Sequence, residues 1–187
     1  MRTSKCGALA LVVVGVLVFI SSTTLAQEDR FLSVAQEEKL FSIVEAFLEA
    51  DEWYPTRVEG ETILRMNFQG DAASWRCLAV TNEEYEQFSF YSVLTNNVPE
   101  NKRVPAAVYL TYANYGLTIG NFELDMSDGE VRYKTSIDVE GGQLTNKMIE
   151  NMVWINVRTM DTYLPGLNKV VYGDADPHEA IVEIEGQ

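Results

Sequence analysis

One histidine and two cysteines in 187 residues leave this chain with few of the side chains that carry enzyme chemistry. Triad hydrolysis needs an imidazole beside its nucleophile, and His178 is the only imidazole here. No Gly-x-Ser-x-Gly elbow marks a nucleophile, and there is neither a Gly-x-Gly-x-x-Gly run nor a phosphate loop. Structural zinc calls for several cysteines or histidines, which are absent. Asp174, Asp176, His178 and Glu179 lie close together, as do Asp125, Asp128 and Glu130 around Gly129. Neither group has the alternating oxygens, turn glycine and distal glutamate of a calcium loop. No catalytic, metal or cofactor-binding residue is therefore assigned, and no cofactor is expected. Paired carboxylates could still do acid–base work, but among 28 acids the sequence selects no pair.

Positive charge is also scarce. Fourteen Lys and Arg face 28 Asp and Glu, a formal net charge of −14, which argues against nucleic acid or anionic lipid as a partner. Long apolar runs are missing except at the start. There Arg2 and Lys5 precede an uncharged stretch from about Ala8 to Ile20, followed by Thr24-Leu25-Ala26. Basic start, short apolar segment and small residues at the exit are the layout of a secretory leader. The run is shorter than the roughly 20 apolar residues of a membrane span. Residues 1–26 are thus read as a signal peptide cut between Ala26 and Gln27, the alternative being a retained anchor. Cys6 lies before the apolar run, where lipid attachment is not expected. The mature product is expected outside the cytoplasm, periplasmic or secreted, with no stable membrane insertion. Loss of two basic residues and no acids takes its charge to −16, over the 161 residues that remain of 187. That length suits one domain, 27–187. Cys77 is its only cysteine, so no internal disulfide can form, and its apolar strand setting predicts a buried structural thiol.

The pattern predicts an α+β fold. A first helix begins near Ser33, where Ser33 and Gln36 have capping-box spacing, with Leu40, Val44 and Phe47 as its buried stripe, widened by Phe41, Ile43 and Leu48. From Tyr54 to Thr95 the period changes to two, predicting an antiparallel meander of three or four strands with Glu83, Glu84 and Glu86 in a solvated turn. A second helix runs from about Pro105 to Tyr115 and stops at Gly116. Thr118–Met126 and Glu130–Val139 alternate around Ser127-Asp128-Gly129. A two-residue type I′ turn at Asp128-Gly129 would pair Met126 with Val131, Leu124 with Tyr133 and Phe122 with Thr135. On the other face it would pair Asp125 with Arg132 and Glu123 with Lys134. A long helix packed on the sheet follows, from about Leu144 to Tyr163, buried through Met148, Ile149, Met152, Val153, Met160 and Leu164, with Pro165 as its stop. A short segment with Leu167, Val170 and Val171 leads to a last helix capped by Asp176, with Pro177 at its first position.

The order of Asn114-Tyr115-Gly116, Ile119-Gly120-Asn121-Phe122-Glu123-Leu124, Asp128-Gly129-Glu130-Val131-Arg132-Tyr133, Tyr163-Leu164-Pro165, Tyr172-Gly173 and Pro177-His178-Glu179-Ala180 resembles the YbjN family, described as candidate bacterial sensory-transduction regulators. The resemblance spans about residues 33–182. It implies a fold like that of type III secretion chaperones: helix, meander, helix, hairpin and long helix. It also implies a non-enzymatic domain that binds another protein, often as a homodimer, and it carries no catalytic residues. The export signal departs from the family pattern and argues against a cytoplasmic role.

Two residues of the long helix stand out. Asn156 falls within the apolar face, where a buried amide must find hydrogen-bond partners. Trp154 falls opposite, among Glu150, Asn151, Arg158 and Asp161, so Trp154 and Arg158 are a candidate interaction surface, for a second copy or another protein. The leading reading is an exported interaction or regulatory module without catalysis. The alternatives are a small envelope hydrolase using paired carboxylates, or a ligand-binding protein with a pocket between sheet and long helix. Mass analysis of protein from the envelope or medium should find Gln27 at the amino terminus; full-length chain confined to the membrane would instead mean an anchor.

Overall fold

A computed structural model describes residues 40–186. The leader, the cleavage point at Ala26 and Gln27, and the Ser33–Gln36 cap lie outside the described residues. Helix α1 (Leu40–Ala50) leads into β1 (Thr56–Arg57), β2 (Ile63–Gln69), β3 (Ser74–Asn82) and β4 (Gln87–Val93). A 3-10 turn (Glu100–Lys102) opens α2 (Arg103–Gly116), followed by β5 (Asn121–Leu124), β6 (Val131–Asp138), α3 (Asn146–Tyr172) and α4 (Pro177–Glu185). The strands form one six-stranded antiparallel sheet in the order β1-β2-β3-β4-β6-β5. The α+β architecture expected from the pattern is the one observed.

Alternation sorts the strands into two faces. Leu64 and Met66, Trp75, Cys77 and Ala79, Phe88 and Phe90, and Val131 and Tyr133 are buried with Val44, Leu48, Ile149, Val153, Val157 and Met160 in one core. Helix α1 centres its stripe on Leu40, Val44 and Leu48, with Phe47 only half-buried. In α3, Ile149, Met152, Val153, Met160 and Leu164 are buried as expected, while Met148 is exposed and Val157 is buried in addition.

The hairpin register differs from expectation. Phe122 pairs with Tyr133, Glu123 with Arg132 and Leu124 with Val131, two residues away from the expected pairing. The expected pairs Met126–Val131, Leu124–Tyr133, Phe122–Thr135, Asp125–Arg132 and Glu123–Lys134 are not formed as direct pairs. A slip of two keeps every side chain on its face, so alternation alone could not exclude it. The turn decides. Only Gly129, not Asp128, has a positive φ (+89°), so the type I′ turn is absent and Met126–Gly129 form a four-residue loop. Asp125 accepts from the Ser127 amide (2.7 Å), and Asp128 accepts from the Glu130 amide (2.8 Å). Arg103 donates to the Met126 and Ser127 carbonyls (both 3.1 Å), and the Val98 amide donates to the Gly129 carbonyl (2.8 Å). A Cβ at Gly129 would collide with the Val98 carbonyl oxygen.

Pro165 does not end the long helix. Helix α3 continues through it to Tyr172, so the segment read as separate is the last part of α3. An interior proline costs about 3 kcal/mol, and burial of Leu167, Val170 and Val171 beyond it offsets that cost. The next residue, Gly166, lets Tyr109 approach closely, and the Tyr109 hydroxyl donates to the Tyr163 carbonyl (2.8 Å). The helix starts after Thr145, whose hydroxyl accepts from the Met148 amide (3.3 Å). Helix α2 starts two residues before Pro105, because a proline in the first turn removes no intrahelical bond. Asp176 caps α4 as expected, accepting from the His178 and Glu179 amides.

Asn156 is fully buried where α3 crosses the sheet. Its Nδ2 donates to the Phe90 carbonyl (2.8 Å), the Tyr133 carbonyl (3.0 Å) and the Thr135 hydroxyl (3.3 Å). Thr135 in turn donates to the Met152 carbonyl (3.1 Å). One side chain thus bonds β4 and β6 to the helix above them. Asn156→Leu keeps the volume and removes the donor, so urea unfolding should show a loss of about 2 kcal/mol; an unchanged midpoint would mean that the amide does not fix the helix.

Candidate functional site

Four carboxylates have lowered pKa values, and each has a structural partner. Burial alone would raise Glu123, but bonds from Arg132 (2.6 Å) and Lys134 (3.1 Å) outweigh it. The Ser127 hydroxyl and amide lower Asp125, the Glu140 amide and Gln87 lower Asp138, and Lys102 lowers Asp174. A carboxylic acid poised to donate a proton near neutrality would need the opposite shift. Among the described residues no group of three or more His, Cys, Asp or Glu is placed to hold a metal ion. Glu83, Glu84 and Glu86 lie in the turn between β3 and β4 as expected, with Glu84 and Glu86 exposed and Glu83 half-buried. Glu83 accepts from the Leu40 and Phe41 amides (2.9 and 2.8 Å), and Glu86 from the Gly141 amide (2.9 Å). Cys77 is buried in β3, its Sγ 3.8 Å from the Ser92 Oγ, and burial pushes its thiol up to about 12.

A cavity of about 120 Å³ lies between sheet and long helix, lined by Ser74, Leu94, Asn96, Leu167, Asn168 and Val171 among others. Small-molecule pockets typically span ~300–1,000 Å³; this one has room for a few waters.

Trp154 and Arg158 are brought together as the helix projection requires. Trp154 is half-buried, with Trp53 and Phe68 against its ring at centroid distances of 5.6 and 6.3 Å. The exposed Arg158 guanidinium stacks on it at 5.3 Å. Trp53 therefore covers part of the ring from the α1–β1 connection, where Glu52 and Tyr54 both adopt positive φ. His178 lies at the start of α4 with its ring 5.4 Å from that of Tyr112.

A second surface was not singled out from the sequence. Helix α2 buries Ala106, Tyr109, Leu110 and Ala113, yet on its other side Val104, Val108, Tyr112 and Tyr115 are 66, 41, 43 and 96% exposed. Their spacing of four, four and three residues is a second apolar stripe, a signal the sequence does contain. Arg103 is the only charged residue of α2, and it is engaged by the hairpin loop.

Asn114 lies at the junction of α2 with the sheet. Its Oδ1 accepts from the Phe122 amide (2.7 Å) and its Nδ2 donates to the Phe122 carbonyl (3.1 Å). The side chain thus occupies the outer edge of β5 as a neighbouring strand would. Gly120 (φ +82°) passes too close to the Lys134 carbonyl for any Cβ, and Tyr133 donates through its hydroxyl to the Ile119 carbonyl. The motif residues Asn114, Gly120, Gly129 and Tyr133 thus hold the scaffold together.

The model of the YbjN family, described as "Putative bacterial sensory transduction regulator", matches residues 41–169. The chain belongs to this family. Among solved structures it is similar to YbjN of E. coli, described there as a putative transcription regulator. They share 14% identity over 74% of this chain and 92% of that one, with a TM-score of 0.51. The HopA1–SchA chaperone–effector complex gives 17% identity, 65 and 91% coverage and a TM-score of 0.42. No curated protein matches the chain. The match to E. coli YbjN is one of fold.

Asn114→Ala would leave the Phe122 amide without its partner at a sheet edge, and the carbonyl with only the longer bond from the Asn121 Nδ2 (3.4 Å). Urea unfolding should report a loss of about 1–3 kcal/mol, and light scattering should show association through the opened edge. Asn114→Asp, which keeps the acceptor alone, should fall between the two.

Proposed function

We propose that this YbjN-family protein is an exported, non-catalytic protein-binding module of a regulatory kind that works as a homodimer. The observation that carries the reading is the exposed stripe Val104, Val108, Tyr112 and Tyr115 on α2. Monomers seldom leave such contiguous apolar surface free, and aromatic residues are enriched where proteins meet. The occupant is a second copy. At a mature net charge of −16, two copies repel each other over most of their surface. An uncharged helix side is where that repulsion is weakest, and a helix packed on its own symmetry mate is self-complementary.

Export rests on the leader in residues 1–26, and the mature protein is placed in the periplasm or medium. No helix among the described residues is long and apolar enough to cross a membrane. The exposed Arg158, stacked on Trp154, is retained as a smaller contact outside the dimer, open to a protein partner.

Val108→Glu and Tyr112→Asp introduce charge on the exposed side and leave Ala106, Tyr109, Leu110 and Ala113 in place. Sedimentation equilibrium should give a dimer for the mature protein and a monomer for each variant, with circular dichroism unchanged. A monomeric parent at high concentration, or variants that stay dimeric, would overturn the reading.

A further inference from the structure

The large buried side chains project from one face of the sheet; the alternate positions project from the other. On that outer face stand Arg65, Arg76, Arg132 and Lys134, four of the chain's 14 basic residues. Register arranges them in rows. Arg65, Leu78, Tyr91 and Lys134 face one another across four strands, and Asn67, Arg76, Val93 and Arg132 form the next row. Arg132 stacks over Tyr91 at 5.0 Å.

Glu123 engages Arg132 and Lys134, whereas Glu130 reaches Arg76 and Arg132 only at 4.0 Å. Arg65 is exposed and has no acidic partner among the described residues. Asp138 stands at the far end of this face, bonded to Gln87 (3.0 Å). Around Arg65, Arg76, Arg132 and Lys134 base thus outnumbers acid, with Glu123 and Glu130 the acids in contact, in a chain where acid outnumbers base two to one. Ile63, Leu78, Val80 and Tyr91 are half-buried and supply apolar surface between the cations.

We propose that this outer face binds an extended acidic segment of a partner protein. Carboxylates meet Arg65 and Arg76, and apolar side chains meet Leu78, Val80 and Tyr91. Successive rows on one face lie about 7 Å apart, which is also the same-side repeat of an extended chain. A uniform polyanion fits less well, because apolar residues interrupt the cations and Glu123 would repel it. The surrounding negative surface would steer an acidic partner to this face alone. The inference rests on the protein-binding reading above, but its readout is peptide binding and not oligomeric state.

A fluorescein-labelled dodecapeptide repeating Glu-Ser-Val-Ser, which presents Glu and Val in turn on one side of an extended chain, followed by anisotropy on the mature protein, provides the test. Saturable binding should weaken roughly tenfold or more in R65E/R76E and weaken with added salt, whereas the peptide with Lys in place of Glu, drawn to the acidic surface elsewhere, should not weaken in R65E/R76E. Circular dichroism should confirm that the double variant folds. Tyr112→Asp should bind the peptide normally, which separates this face from the dimer surface. No saturable binding, equal affinity in R65E/R76E, or tighter binding of heparin than of the peptide would each overturn the proposal.

Discussion

The bonds from Asn156 to the Phe90 and Tyr133 carbonyls fix where the long helix lies on the sheet. Apolar packing alone is tolerant of sliding, since one aliphatic contact substitutes readily for another. A buried amide nitrogen that must reach two carbonyls on neighbouring strands has one satisfactory position, although the amide's buried oxygen has no hydrogen-bond partner among the described residues. The opposite amide orientation would set its oxygen against both carbonyls. Everything hung on α3 inherits that placement. Tyr163 bonds Glu185 of α4 (3.0 Å), Asp161 holds the β2–β3 turn through the Asp71 and Ala72 amides (both 3.0 Å), and the Tyr163 carbonyl receives Tyr109 of α2.

Much of this was legible in the sequence because it depends on periodicity. The four strands of the meander, the capped α4, the buried Cys77 and the buried amide at Asn156 all follow from which residues are apolar at which spacing. What escaped depends on contacts between distant segments. The hairpin register is set by Arg103 and Val98, more than twenty residues from the loop they hold, while the local Asp-Gly pair pointed to a shorter turn. Pro165 is tolerated because of what lies beyond it. The α2 stripe was written in plain helical spacing but shared the helix with a second stripe, and only burial tells which of two apolar sides faces inward.

The family motifs acquire a physical meaning here. Asn114, Gly120, Gly129 and Tyr133 each satisfy a backbone group or permit a close backbone approach. A sequence signature of this kind identifies a fold, and it leaves the exposed positions of α2 and of the outer sheet face free to differ between proteins built on it.

The amide of Asn114 has a further consequence. The sheet ends on one side at β5, whose edge it occupies, and on the other at β1, which is two residues long. Asn114 at one margin and β1 at the other shorten the free edge on which a further strand could add, which favours contacts through the faces or helices, and those saturate. Complexes built this way have fixed stoichiometry. Strand addition, by contrast, leaves a new free edge at every step and ends in an open-ended polymer.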